Sequence, residues 1–295
     1  GVAAALTMRV FNWRDIQGRA LLVFAVVGLL AASLTIFTLY NENRNLNGLL
    51  VDLELEGPDP SRYRELREVF TQRLPQEVSA LINLRVKLDY VHFSCVTREI
   101  LNCSRVDFLL LSPQGTPWYK YQNGAAQKLA FFKVLLKDMI SSCRTPILGV
   151  CGGHQFLALA FGGTIGFIDP ALEGQFPEGY PREAMAERGV CVLETLGQDP
   201  IFEGLVKHPG RFRAMQSHYE EIKLVPQPFI NLARSTLSEA QLIRIPGRPV
   251  YGVAFHPERG WANSHDVESD PNGGKQILAN FMTMVVAEKR SRPCY

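Results

Sequence analysis

Cysteine pairs at C-x-x-C spacing, runs of basic residues and glycine-rich nucleotide loops are all missing from this chain of 295 residues. The first absence excludes the usual zinc and iron–sulfur frameworks, because Cys95, Cys103, Cys143, Cys151, Cys191 and Cys294 are scattered. They do not make a small secreted disulfide scaffold either, although a Cys95–Cys103 bridge would suit an oxidising compartment. The second absence removes the electrostatic footprint of a nucleic-acid partner. Lys and Arg number 31 against 29 Asp and Glu, for a net charge of +2. Without G-x-G-x-x-G or a Walker-type loop, no nucleotide cofactor is expected. His92, His208 and His265 lack metal-ligand partners at useful spacing, so they read as surface or locally bonded residues. No internal repeat or low-complexity tract occurs, and a chain that is 46% hydrophobic and 20% charged suits one large domain plus an extension.

The extension is apolar. Residues 20–40 read ALLVFAVVGLLAASLTIFTLY, without a charge. As a helix rising 1.5 Å per residue this run would be about 31 Å long, roughly the hydrocarbon thickness of a bilayer. A buried core helix would show a polar face, and the apolar part of a cleaved signal peptide is only about 7–15 residues long. The expectation is a single-pass membrane anchor, following an N-terminal tail at 1–19. Arg9, Arg14 and Arg19 precede it, whereas Arg44 and then Asp52, Glu54 and Glu56 follow. By the positive-inside rule the globular domain then lies on the non-cytoplasmic side.

After a polar linker at 41–47, residues 48–295 alternate apolar strands with amphipathic helices. Strands are predicted over 49–55, 84–93, 106–111 and 147–150. Ser61 is predicted to cap a helix that carries Tyr63, Leu66, Val69 and Phe70 on one face and stops at Pro75; a second helix is predicted over 127–140. This alternation predicts an α/β fold with a mainly parallel sheet and helices on both faces. Ligands in such sheets bind beyond the carboxyl ends of the strands, which is where the loops at 112–117 and 151–153 fall.

The segment at 146–157, PILGVCGGHQFL, has the form strand, G-x-C-x-G, helix. Gly149 and Gly153 let the chain turn sharply and let strand and helix approach. Cys151 is thereby lifted out at the sheet edge, as the serine is in the nucleophile elbow of hydrolases. The positive end of the following helix favours thiolate, and the Gly152 amide faces the place where an oxyanion would form. A second segment, YGVAFHPE at 251–258, runs an apolar strand into His256 and Glu258. Alternate residues of extended chain share a side, so Glu258 can fix the tautomer of His256 and leave its other nitrogen for Cys151.

The two segments together resemble the class I glutamine amidotransferases, whose glutaminase domains carry G-[IV]-C-x-G-x-Q and F-H-P-E. The matching order extends over most of 48–285. Residues 112–117 (SPQGTP) look like a variant of the family's S-P-G-P-G loop. Gly162-Gly163, Gln216-Ser217-His218 and Gly274 with Asn280-Phe281 fall in the family's order. The resemblance implies that Cys151 attacks the side-chain amide of glutamine, that His256 protonates the departing ammonia, and that water then hydrolyses a γ-glutamyl thioester. It further implies Gly152 and Gly115 as oxyanion donors, and Gln155, Ser217 and His218 as substrate contacts.

Three departures stand out. Gln114 replaces a glycine of the oxyanion loop, Ala254 stands where the family usually has glutamine, and only a short stretch follows Phe281. An ammonia acceptor would therefore be a separate synthase subunit. Two other readings stay open: a γ-glutamyl hydrolase acting on γ-glutamyl amides or peptides, and a non-catalytic subunit of a membrane complex that reuses the fold.

Overall fold

A computed structural model describes residues 45–205, 210–259 and 272–292. The apolar run at 20–40 and its tail lie outside these residues, as do His208 and His265. Among the described residues no helix is long and apolar enough to cross a membrane.

The apolar runs become the centre of a nine-stranded sheet, ordered β2-β1-β3-β4-β11-β10-β9-β6-β7. Strands β1 (Asn45–Asp52), β3 (Phe108–Leu111), β4 (Ile147–Val150) and β11 (Val250–Val253) pair in parallel. The last three are buried along their whole length, the mark of strands covered on both faces. Their side chains alternate between two cores. Leu50, Leu110, Leu148 and Val253 face α5 (Asn272–Ser291) through Ile277, Phe281 and Val285. Leu49, Val51, Leu109 and Ile147 face α3 (Asn123–Ser142) through Phe132, Leu136 and Met139, together with Phe156 and Leu157 of α4 (Gly152–Ala160). Helices thus cover both faces, as expected.

Beyond β11 the sheet continues with antiparallel neighbours: β10 (Leu242–Arg244), β9 (Ile230–Arg234), β6 (Glu187–Thr195) and β7 (Arg211–His218). A separate ribbon pairs β5 (Thr164–Phe167) with β8 (Glu220–Leu224). The parallel character is therefore concentrated in the half that carries the cysteine and histidine segments.

Three local expectations change. β1 starts at Asn45, inside the stretch read as linker, because Leu46 packs into the core. Asp59, rather than Ser61, caps the following helical segment by accepting from the Ser61 amide at 2.9 Å. Pro75 does not stop that segment. The chain passes from α1 (Arg64–Glu68) through a π-turn (Val69–Arg73) into α2 (Leu74–Glu77), with Pro75 in the first turn of α2, where a missing N–H costs little. The remaining strand, β2 (Arg85–His92), forms the outer edge beside β1.

Candidate active site

Parallel register brings the motifs to one edge. Val150 of β4 stands opposite Val253 of β11, and Leu111 of β3 opposite Gly149 of β4. The residues after these strands, Ser112, Cys151 and Ala254, therefore emerge side by side, and the Cys151 amide donates to the Val253 carbonyl at 2.8 Å.

The turn at Cys151 is sharp. Its backbone sits at φ +49°, ψ −102°, a left-handed conformation that costs a residue with a side chain about 1–3 kcal/mol. The strain is held by close packing on both sides. A methyl group at Gly149 would come within 2.4 Å of the Gly153 carbonyl oxygen, and one at Gly153 within 2.3 Å of the Leu111 carbonyl oxygen. The nucleophile elbow read from G-x-C-x-G is present, with the amino end of α4 beneath the sulfur.

His256 meets this sulfur from β11. Its Nδ1 lies 2.7 Å from Glu258 Oε1, and its ring lines the same pocket as Cys151. Both His256 and Glu258 are buried, 3% and 4% exposed. Burial opposes a charge on the imidazole, but the Glu258 carboxylate and the Cys151 sulfur outweigh it and hold the His256 pKa well above its ordinary value. The carboxylate thus keeps a proton on Nδ1 and leaves Nε2 to exchange protons at the sulfur side. His154, inside the same motif, has no such role: it is fully buried beside the Ala240 carbonyl, and desolvation drives its pKa down to about 3.

The oxyanion loop departs from expectation. The Gly115 amide donates to the buried Glu54 carboxylate at 2.7 Å. The loop amide beside Gly152 belongs to Gln114, whose nitrogen lies 2.9 Å from the point where a Gly152 side chain would start. Gln114, the residue that replaces a glycine, thus packs its backbone nitrogen against Gly152.

The expected substrate contacts divide. Gln155 lines the pocket but is braced: its Oε1 accepts from the Trp118 indole at 2.6 Å and its Nε2 donates to the Glu220 carbonyl at 2.8 Å. Ser217 is exposed and lines the pocket. His218 also lines it, yet the ring is anchored between Glu187 Oε2 at 2.9 Å and the Glu220 carbonyl at 3.0 Å. The pocket, of about 290 Å³, holds further groups that the motifs did not single out: Glu54, Arg62, Tyr63, Tyr180, Glu220 and Arg259. Burial lifts the Glu220 pKa to about 6, against hydrogen bonds from the Tyr180 hydroxyl and the Trp118 amide. Its position two residues beyond His218 was the one available sequence signal. Among the described residues no group of three or more His, Cys, Asp or Glu side chains is placed to hold a metal ion.

A family model, "Glutamine amidotransferase class-I", matches residues 70–267, most of the chain and both the cysteine and the histidine segments. The chain belongs to the class I glutamine amidotransferase family. It is 32% identical over 145 residues to the glutamine-hydrolyzing GMP synthase subunit of Methanosarcina barkeri, a match covering 49% of this chain and 62% of that one. The corresponding subunit of Methanopyrus kandleri is 40% identical over 136 residues, 46% of this chain and 59% of the relative. Each match thus spans somewhat less than two thirds of its relative. A solved structure from Thermoplasma acidophilum, of a protein assigned as a GMP synthase subunit, shares the fold. Its TM-score is 0.56 at 24% identity, over 83% of this chain and 96% of that one. The glutaminase domain of Trypanosoma brucei CTPS does likewise, with a TM-score of 0.56 at 14% identity over 84% and 96%.

Proposed function

We propose that this class I glutamine amidotransferase releases ammonia from glutamine through a γ-glutamyl thioester on Cys151. The observation that carries the reading is the buried His256–Glu258 pair in one pocket with Cys151, at the carboxyl edge of the sheet with the sulfur on a strained elbow. In the first half-reaction the Cys151 sulfur attacks the side-chain carbonyl carbon of glutamine. The carbon–nitrogen bond then breaks while His256 gives its proton to the leaving nitrogen. In the second, His256 takes a proton from water, the resulting hydroxide attacks the thioester, and glutamate leaves as the thiol is restored. The Gly152 and Gln114 amides are the donors proposed for the oxyanion in both steps. The relatives' name, a glutamine-hydrolyzing subunit of GMP synthase, supports passing the ammonia to a separate synthase subunit.

We further propose that residues 20–40 anchor the chain in a lipid bilayer, with the globular domain on the non-cytoplasmic side. A disulfide between Cys103 and Cys143, in place of the Cys95–Cys103 pair considered from sequence, supports an oxidising side for this domain. Cys95 is free and exposed. This disulfide is also the observation that favours the second reading, a γ-glutamyl hydrolase. One experiment addresses both readings: the full chain in detergent is offered L-glutamine and a γ-glutamyl dipeptide, with Cys151→Ala as the control. Ammonia from glutamine that vanishes in the variant is the expected result. Cleavage of the dipeptide alone selects the second reading, and no Cys151-dependent turnover of either leaves a non-catalytic subunit. For the anchor, alkaline carbonate should leave the full chain in the membrane pellet and release a chain lacking residues 20–40. Release of both would refute the anchor.

A further inference from the structure

The amide expected in the oxyanion hole, that of Gly115, is instead held by a carboxylate from another strand. Glu54 follows β1, is buried, and is itself fixed from both sides: its N–H donates to Asp52 Oδ1 at 2.8 Å, and its carbonyl accepts from His92 Nε2 at 2.7 Å. Its Oε2 accepts from the Gly115 amide at 2.7 Å, and its Oε1 accepts from the Thr116 hydroxyl and from the Leu55 amide at 3.0 Å. One side chain therefore grips two consecutive residues of the loop.

A second contact fixes the preceding peptide. The Tyr63 hydroxyl is shared between Asp52 Oδ1 at 2.5 Å and the Pro113 carbonyl at 3.3 Å. A trans peptide is planar, so its N–H points opposite its C=O. Turning the Pro113 carbonyl toward Tyr63 turns the Gln114 N–H the other way, and turning the Gly115 N–H toward Glu54 does the same for the Gln114 carbonyl. Both peptides flanking Gln114 are thus set, and its amide is left beside Gly152.

We infer that Glu54 is a positioning residue: by holding Gly115 and Thr116 it fixes the Gln114 amide as the second oxyanion donor of the Cys151 site. This inference rests on the glutaminase reading, and it assigns Glu54 a role exerted through the loop. What matters is the hydrogen bonds to the loop rather than the charge. A glutamine at position 54 can still accept from the Gly115 amide through its oxygen and can donate to the Thr116 hydroxyl through its NH₂, giving up only the bond from the Leu55 amide.

The test compares wild type, Glu54→Ala and Glu54→Gln in the full chain with L-glutamine, alongside iodoacetamide alkylation of Cys151 followed by mass spectrometry. Alkylation needs the nucleophile and its base but no oxyanion hole. In Glu54→Ala, kcat is expected to fall about 10²–10³-fold, the loss usual for a missing oxyanion donor, with KM and the Cys151 alkylation rate nearly unchanged. Glu54→Gln should recover most of kcat. Wild-type kcat in Glu54→Ala overturns the inference alone. So does a parallel loss of alkylation, which would make Glu54 a general structural support, or a Glu54→Gln variant as slow as Glu54→Ala. A wild-type chain without Cys151-dependent turnover of glutamine overturns both this inference and the reading beneath it.

Discussion

At the scale of single residues, the working parts are defined by what each polar atom is bonded to. Glu258 does two things for His256: it fixes the Nδ1 proton and stabilises the charged ring against burial. Replacing it by glutamine keeps the shape and removes the charge. Glu258→Gln should lower kcat/KM by about 10²–10⁴-fold, the usual worth of general acid–base catalysis. The sign of the pH effect follows from the raised His256 pKa, pushed up to about 10. The imidazolium and the stability it contributes are complete below the unfolded imidazole value and disappear as pH rises through the folded one. Removing Glu258 should therefore move the alkaline limb of the pH–rate profile to lower pH. An unmoved limb would show that Glu258 is not what holds the proton.

The same scale explains which site residues were legible in the sequence. Cys151, His256 and Glu258 were readable because each sits within a few residues of a strand end, where local spacing fixes direction. The contacts of the 112–117 loop were not legible for a non-local reason: the Gly115 amide donates to Glu54 and the Pro113 carbonyl accepts from Tyr63, and both partners come from a different part of the chain. Gln155 and His218 line the pocket, but their contacts with Trp118, Glu187 and Glu220 could not be read from spacing.

At the scale of elements, the parallel strands β3, β4 and β11 were legible because both their faces are buried, so they appear as short apolar runs. β6, β7 and β9 mix buried and exposed positions, and their identity as strands depends on the neighbours they pair with. Pro75 misled for a related reason: a local stop signal was absorbed by the π-turn before it. The elbow is where element packing and chemistry meet, since its glycines let α4 sit directly on β3 and β4. Gly153→Ala would drive a methyl into the Leu111 carbonyl, a backbone atom that cannot step aside. We expect it to cost about 1–3 kcal/mol in urea unfolding and to displace Cys151, with loss of turnover. Gly124 is the contrast. It lies in α3 with open space around it, so Gly124→Ala should raise stability by up to about 1 kcal/mol and leave turnover unchanged. Equal effects from the two substitutions would refute this account of the elbow.

For the whole molecule, chemistry and stapling sit at opposite edges of the sheet. The pocket occupies the carboxyl edge, beyond Asp52, Leu111, Val150 and Val253. Where β1 and β3 begin, buried Asp107 accepts from the Asn47 amide at 2.8 Å, from Lys289 at 2.7 Å and from Arg292 at 3.2 Å, tying in the end of α5. Arg292 also reaches the Cys103 carbonyl at 3.1 Å, and Cys103 is bonded to Cys143 just past α3. The bridge closes a loop with a sequence separation of 40, for which chain entropy alone gives about 4 kcal/mol. Because the staple is remote from Cys151, reduction should lower the urea midpoint and leave glutamine turnover per folded molecule unchanged. It should also expose two more thiols per chain to a thiol reagent. Cys143→Ser should reproduce the lower midpoint with no further response to reductant. A midpoint that ignores reductant in wild type would remove the staple, and with it the physical support for placing this domain on an oxidising side of the membrane.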